Sequence, residues 1–160
     1  LYVKEHPRQF IVENINLKSL HFRNKQFYKS LLAIKNVKLL SLDVDNQTII
    51  QNTSFISTGT GSIGWEAILA GVPVIAFGHP WYKGCPSCFH VNSKDSVRKA
   101  LKDIGNHDKE YFLNVLYRYF IFLEKMAIHA FNEERFLVKS NLSKEESLQN
   151  LLDGTLKNIK

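Results

Sequence analysis

Cysteine is nearly absent, at two among 160 residues. That is too few for a disulfide framework and excludes a small secreted knot. Four prolines and eight glycines leave no collagen-like or low-complexity tract, and no internal repeat is visible. Long apolar runs are missing as well. The most apolar stretch, Tyr111 to Phe131, is broken by Arg118, Glu124 and Lys125, whereas a spanning helix needs about 20 predominantly apolar residues. The chain opens Leu1-Tyr2-Val3-Lys4-Glu5-His6-Pro7, without initiator methionine, charged n-region or apolar h-region. It reads as a strand already under way, so a fragment of a longer protein is expected.

The composition is that of a folded chain, 44% hydrophobic and 22% charged. A chain of this length buries about 70% of its unfolded surface in one core. Lys and Arg outnumber Asp and Glu by 21 to 15, a net charge of +6, which permits an anionic partner. The positive residues are scattered, however, and form neither a basic stripe nor a recognition motif, so nucleic acid is not expected.

Short apolar strands alternate with helical stretches. Leu1 to Glu5 reads as a strand ended by Pro7, and Asn24 to Lys35 as a helix with Asn24 as its cap. Val37 to Leu42 is a second strand, and Asp43 to Asn52 holds a short helix. Ser54 to Thr58 is a third strand, Ile63 to Ala70 a helix stopped by Gly71, and Val72 to Phe77 a fourth strand whose unbroken apolar run suits burial on both faces. Helices are predicted over Lys94 to Ile104, Lys109 to Phe131 and Lys144 to Asn158, the last with a Ser143/Glu146 capping box. Such alternation predicts an α/β fold with a parallel sheet.

The strongest chemical signal is Ser57-Thr58-Gly59-Thr60-Gly61-Ser62-Ile63-Gly64-Trp65-Glu66, at the carboxyl end of a predicted strand. Glycines let a ligand approach the backbone, and the following helix start offers unpaired N–H donors. The hydroxyls of Thr60 and Ser62 either meet phosphate or cap the helix, and Glu66 is placed to accept from ribose hydroxyls. The pattern is neither a P-loop nor a G-x-G-x-x-G fingerprint. His6, with Lys4 and Arg8 nearby, ends the first strand, and Gly78-His79-Pro80-Trp81-Tyr82 follows the fourth. In a parallel sheet these ends share one rim, where ligands of open α/β sheets bind. His6 there either donates to a phosphate or simply closes the strand.

Lys4-Glu5-His6-Pro7, Ile56 to Ser62, Trp65-Glu66-Ala67 and Gly71-Val72-Pro73-Val74 together resemble the carboxyl-terminal half of bacterial capsule polysaccharide biosynthesis glycosyltransferases, nearest the capsular Kdo transferases. More distantly, the two motifs are similar to the His-Pro and Ser/Thr motifs of CMP-sugar-dependent bacterial sialyltransferases. The resemblance spans roughly Tyr2 to Val91. It implies half of a glycosyltransferase-B fold: a Rossmann-like parallel sheet flanked by helices over residues 1–105, with additional carboxyl-terminal helices over 106–160. It further implies that His6 acts on the donor phosphate or its departing oxygen and that Pro7 fixes the turn. Thr58, Gly59, Thr60, Gly61 and Ser62 would hold the phosphate, Glu66 the ribose, and Lys4 and His79 would complete the donor site. The expected donor is a CMP-sugar, Kdo or a relative, with no cofactor required, no metal-ligand residues assigned and dependence on a divalent metal left open. The acceptor is a glycan or glycolipid, and the general base lies on an absent amino-terminal domain.

Three alternatives stay open: a UDP-sugar transferase, a UDP-sugar 2-epimerase-like enzyme, or a non-catalytic nucleotide-binding or scaffold module of a capsule-assembly complex. The implied location is cytoplasmic, with peripheral attachment to the inner membrane face through Lys and Arg as a lesser alternative. Asp43-Val44-Asp45 has Asp-x-Asp spacing but is read as turn chemistry. Cys85-x-x-Cys88 is read as two free thiols in a loop, ahead of a redox pair or a metal site flanked by His79 and His90. The aromatics Tyr111, Phe112, Tyr117, Tyr119, Phe120 and Phe122 are read mainly as core, with some exposed where a partner domain would pack.

Overall fold

A computed structural model describes residues 1–6, 23–131 and 140–158. Pro7 and Arg8 lie outside the described residues, as does the region 132–139. In chain order the elements are β1 (Tyr2–Val3), α1 (Lys25–Leu32), β2 (Lys38–Leu39), α2 (Asn46–Gln51), β3 (Ile56–Thr58), α3 (Ile63–Leu69), β4 (Val74–Ala76), β5 (Cys88–His90), α4 (Lys94–Gly105), α5 (Lys109–Met126) and α6 (Lys144–Asn158).

Every strand pairing among the described residues is parallel. The chain is α/β, with parallel sheets flanked by helices and a helical carboxyl-terminal region, consistent with a Rossmann-like fold. Among the described residues the ladder comes in two pieces, β1-β2 and β3-β4-β5. Lys38 and Leu39 of β2 are both exposed, as suits a margin strand and not a buried central one.

The three-stranded sheet is covered on both faces because alternate residues point opposite ways. Ile56, Val74, Ala76 and Cys88 meet Ala67 and Ile68 of α3 and Leu116 of α5. Ile75 and Phe89 face Ala100 and Ile104 of α4 and Phe112 of α5. Such two-sided burial explains the continuous apolar reading of β4, whose three residues are all buried.

Caps delimit the helices. The side chains of Asn24, Asp45 and Asp108 accept from the N–H groups of Phe27, Thr48 and Tyr111, so Asp45 does the turn chemistry its sequence context suggested. Gly71 follows α3 with φ +74°, the left-handed conformation that glycine adopts without strain. Ser143 and Glu146 form the expected box, each N–H donating to the other's side chain. Ser93 and Ser96 form a second box that starts α4. Ser93→Ala should lower stability by about 1 kcal/mol, seen as a reduced urea midpoint with an unchanged m-value.

The long helix ends at Met126, five residues before the predicted end. Ala127 turns extended (ψ 138°), and the chain then docks on α6. Ile128 lies so close to Gly154 that a Cβ there would sit 2.6 Å from its side chain. Ser147 Oγ donates to Phe131 O at 2.8 Å and accepts from its N–H at 2.7 Å. Asn150 Nδ2 donates to His129 O at 2.7 Å. These contacts act across the chain and leave no local helix-stop signal. Among the described residues, no helix is long and apolar enough to cross a membrane.

Candidate functional site

The carboxyl ends of β3, β4 and β5 meet at one rim, since Thr58 pairs with Ala76 and Ala76 with His90. The turn Gly59–Ser62, the loop Phe77–His79 and the end of β5 therefore lie side by side. Phe77 N–H donates to Thr58 O at 2.9 Å and Gly78 N–H to Gly59 O at 3.1 Å. Gly78 is needed for this approach: a Cβ there would lie 3.0 Å from Gly59 O and 2.8 Å from Thr60 Cγ2.

Within the turn, Thr58 Oγ1 accepts from Gly61 N–H at 3.2 Å, so that donor is already engaged. The N–H groups of Thr60, Ser62 and Ile63 have no hydrogen-bond partner among the described residues. Ser62 stands at the α3 start without capping it. Its hydroxyl instead donates to Glu66 Oε1 at 3.3 Å, so the capping alternative is not the geometry adopted. Thr60 and Ser62 are exposed, and Glu66 is half-buried.

Tyr82 builds the turn from beneath. It is fully buried (0% exposed), and its hydroxyl donates to Gly61 O at 2.6 Å. The sequence showed Tyr82 in the stretch after the fourth strand but not this bond, because the acceptor is a main-chain carbonyl 21 residues away. Trp65 and Trp81 meet at 4.7 Å between ring centroids, with Trp65 also 6.1 Å from Tyr82. Trp81 is 70% exposed.

Lys4 reaches the same region through a residue that carried no signal in the sequence. Its Nζ donates to Val44 O and, at 3.4 Å, to Asn46 Oδ1. Asn46 Nδ2 donates to Glu66 Oε2 at 3.5 Å. A polar chain thus runs Lys4–Asn46–Glu66–Ser62 from the end of β1 to the turn after β3, although the two strands belong to different sheets. Glu5, next along, accepts from Tyr28 Oη at 3.2 Å and pairs with Arg23 at 3.4 Å, fixing the strand end that carries His6. His6 itself is exposed. Pro7 lies outside the described residues.

His79 stands on the rim and stacks on His90, ring centroids 4.5 Å apart and 25° between planes. Cys85 and Cys88 are free thiols, Cys85 in the connection before β5 as expected and Cys88 in the strand itself, and both are buried in the core, 1% and 8% exposed. Cys88 opens β5. Burial pushes both thiols up, Cys88 to about 11 with Cys85 beside it adding to the shift, which leaves little thiolate for redox chemistry at neutral pH. Among the described residues no three His, Cys, Asp or Glu side chains gather as a metal set. The aromatic helix also departs from the main expectation. Of α5 only Phe112 and Leu116 are buried, while Tyr111, Tyr117, Phe120 and Phe122 are exposed. Beside α5 lies an open groove of about 350 Å³ lined by Gly84, Pro86, Val115, Arg118, Tyr119 and Phe122, none of them a rim residue.

The model of the capsule polysaccharide biosynthesis protein family matches residues 1–95, which contain β1 to β5 and the whole rim. This chain belongs to that family. Its match with the capsule polysaccharide modification protein LipA of Neisseria meningitidis serogroup B is 39% identical over 61 residues, 38% of this chain and 9% of that protein. The LipA protein of serogroup A, serotype 4A, is 29% identical over 82 residues, 51% of this chain and 12% of its own length. The matches thus span a small part of either relative. No solved structure matches the chain.

Proposed function

We propose that this capsule biosynthesis chain is the donor-binding part of a glycosyltransferase, holding a nucleotide-activated sugar across the rim, with CMP as the nucleotide and Kdo or a related acidic sugar as the group transferred. The observation that carries the reading is the polar chain from Lys4 through Asn46 and Glu66 to Ser62. It links a cation at the end of β1, an amide of α2 and a carboxylate of α3 to the hydroxyl of a turn with three unpartnered N–H groups.

In this reading the N–H groups of Thr60, Ser62 and Ile63 and the hydroxyls of Thr60 and Ser62 bind the donor phosphate, and Glu66 accepts from ribose hydroxyls. Transfer breaks the bond from the sugar's anomeric carbon to the phosphate oxygen, and the bonding pair stays on that oxygen. Donors fixed before the reaction stabilise the charge that develops there. His6, at the end of β1, supplies a proton or hydrogen bond to the departing oxygen. The acceptor, a glycan or glycolipid, attacks from the other side, and the base that takes its proton belongs to the rest of the longer protein. Nucleotide-sugars are cytoplasmic metabolites in this scheme, so the chain works on that side of the membrane.

Calorimetric titration of the 160-residue chain with CMP, UDP and GDP tests the reading. CMP is expected to bind in preference. Ser62→Ala should weaken that binding about fivefold, near 1 kcal/mol for one hydrogen bond to a charged group partly replaced by water, and adding His6→Ala should weaken it further. A preference for UDP would move the assignment to a UDP-sugar enzyme. CMP affinity untouched by both substitutions would remove this rim from donor binding.

A further inference from the structure

We propose that His79 and His90 form an oxyanion subsite, a pair of imidazole donors that takes an acidic group of the ligand lying on the rim. The proposal extends the donor-binding reading and rests on it for the class of ligand.

The two residues are eleven apart in sequence and are joined by the sheet register. His90 ends β5 in the same row as Ala76 and Thr58, so the three side chains share the face covered by α3. Two strand spacings separate Thr58 from His90, about 10 Å. Between them stands only the methyl of Ala76, which is buried. His79 comes from the loop after β4 and lies on His90. Both histidines are exposed, and no ring nitrogen of either has a hydrogen-bond or ion-pair partner among the described residues. Local packing does not account for the pair, as it does for His107, whose stacking on Tyr111 at 3.7 Å joins neighbours across the start of one helix.

The chemistry of stacked imidazoles favours an anion over a cation. Near-parallel rings point their in-plane lone pairs alongside one another rather than at a common centre, and the nearby cysteines are buried in the core. Each ring carries at least one N–H whatever its protonation state. Two such donors held side by side by rings 4.5 Å apart can reach two oxygens of one phosphate or carboxylate at ordinary hydrogen-bond lengths of about 2.8 Å. With Thr58, Thr60 and Ser62 at the β3 end, the rim then offers oxyanion donors on both sides of Ala76.

The test follows the histidine ring Cε1–H resonances of the 160-residue chain during titration with inorganic phosphate, acetate and CMP. The signals of His79 and His90 are expected to shift together and saturably, while that of His107 stays still. Phosphate moving them without acetate assigns a phosphoryl group, and the reverse assigns a carboxylate. His90→Phe keeps a ring to stack on His79 and removes the donor. It should retain the wild-type urea midpoint and weaken binding of the active anion at least fivefold. Unmoved resonances with all three probes, or wild-type affinity in His90→Phe, would overturn the proposal. Where phosphate is the active anion, CMP bound as tightly by His90→Phe as by wild type removes the subsite and leaves the donor reading standing. Phosphate bound by the pair in a chain that ignores CMP does the opposite.

Discussion

Gly64→Ala is expected to destabilise the chain by about 2 kcal/mol and to distort the Gly59–Ser62 turn, although alanine is the better helix former. Gly64 is buried at the second position of α3. A Cβ there would lie 2.1 Å from Tyr82 Oη and 2.8 Å from Tyr82 Cζ. Neither side can give way cheaply: the ring is fully buried, and its hydroxyl is committed to Gly61 O at 2.6 Å. Helix propensity favours the substitution by up to about 1 kcal/mol, whereas overpacking a closed site costs about 1–3 kcal/mol and more where a hydrogen bond also breaks. The clash wins. Gly59→Ala is the matched control, because a Cβ at Gly59 meets nothing within 4 Å, and it should leave stability unchanged. Tyr82→Phe removes the atom that clashes most, so Gly64→Ala in a Tyr82→Phe background should cost less than in the wild type. Urea midpoints for the four variants decide the matter, and equal midpoints for Gly64→Ala and Gly59→Ala would show that Tyr82 does not hold the turn.

The same pair of residues marks how far the sequence could be read. Gly71, the apolar run of β4 and the Ser143/Glu146 box were legible because each is a local rule acting within a few residues. The rim followed from one further step, that parallel strands end on the same side. The bonds of Tyr82 and Asn46 were not legible, since a tyrosine under a carbonyl 21 positions away and an asparagine bridging Lys4 to Glu66 are made by tertiary packing alone. Strand β5 was not among the strands legible in the sequence, because three residues carry too little alternation to be read as one. Helix α5 was legible as a helix but not in its burial. Tyr111, Tyr117, Phe120 and Phe122 have the composition of a core, and only the surfaces that pack on the helix decide which of them are covered.

Alkaline pH should unfold this chain through its cysteines. Cys88 ionises at about 11 in the folded chain against an ordinary 9.0, because burial disfavours the thiolate and Cys85 beside it adds repulsion. Cys85 is shifted the same way by burial. Folded chains therefore keep a thiol proton that unfolded chains have already lost once the pH exceeds about 9. Stability from this source is complete below that pH and is lost as the pH rises through about 11, by about 2–3 kcal/mol for Cys88. Tyr82 and Tyr119, whose phenols burial also raises, add losses of the same sign above pH 10. Urea midpoints measured from pH 7 to 11 should fall from about pH 9, before tyrosine titration begins. Cys88→Ala should be less stable at pH 7, through the lost packing, yet show a flatter fall between pH 9 and 10. Native thiols should also react slowly with a maleimide at pH 7 and fully in urea. A wild-type midpoint constant up to pH 10 would mean that Cys88 is not held as a buried thiol in the core that β5 shares with α3 and α5.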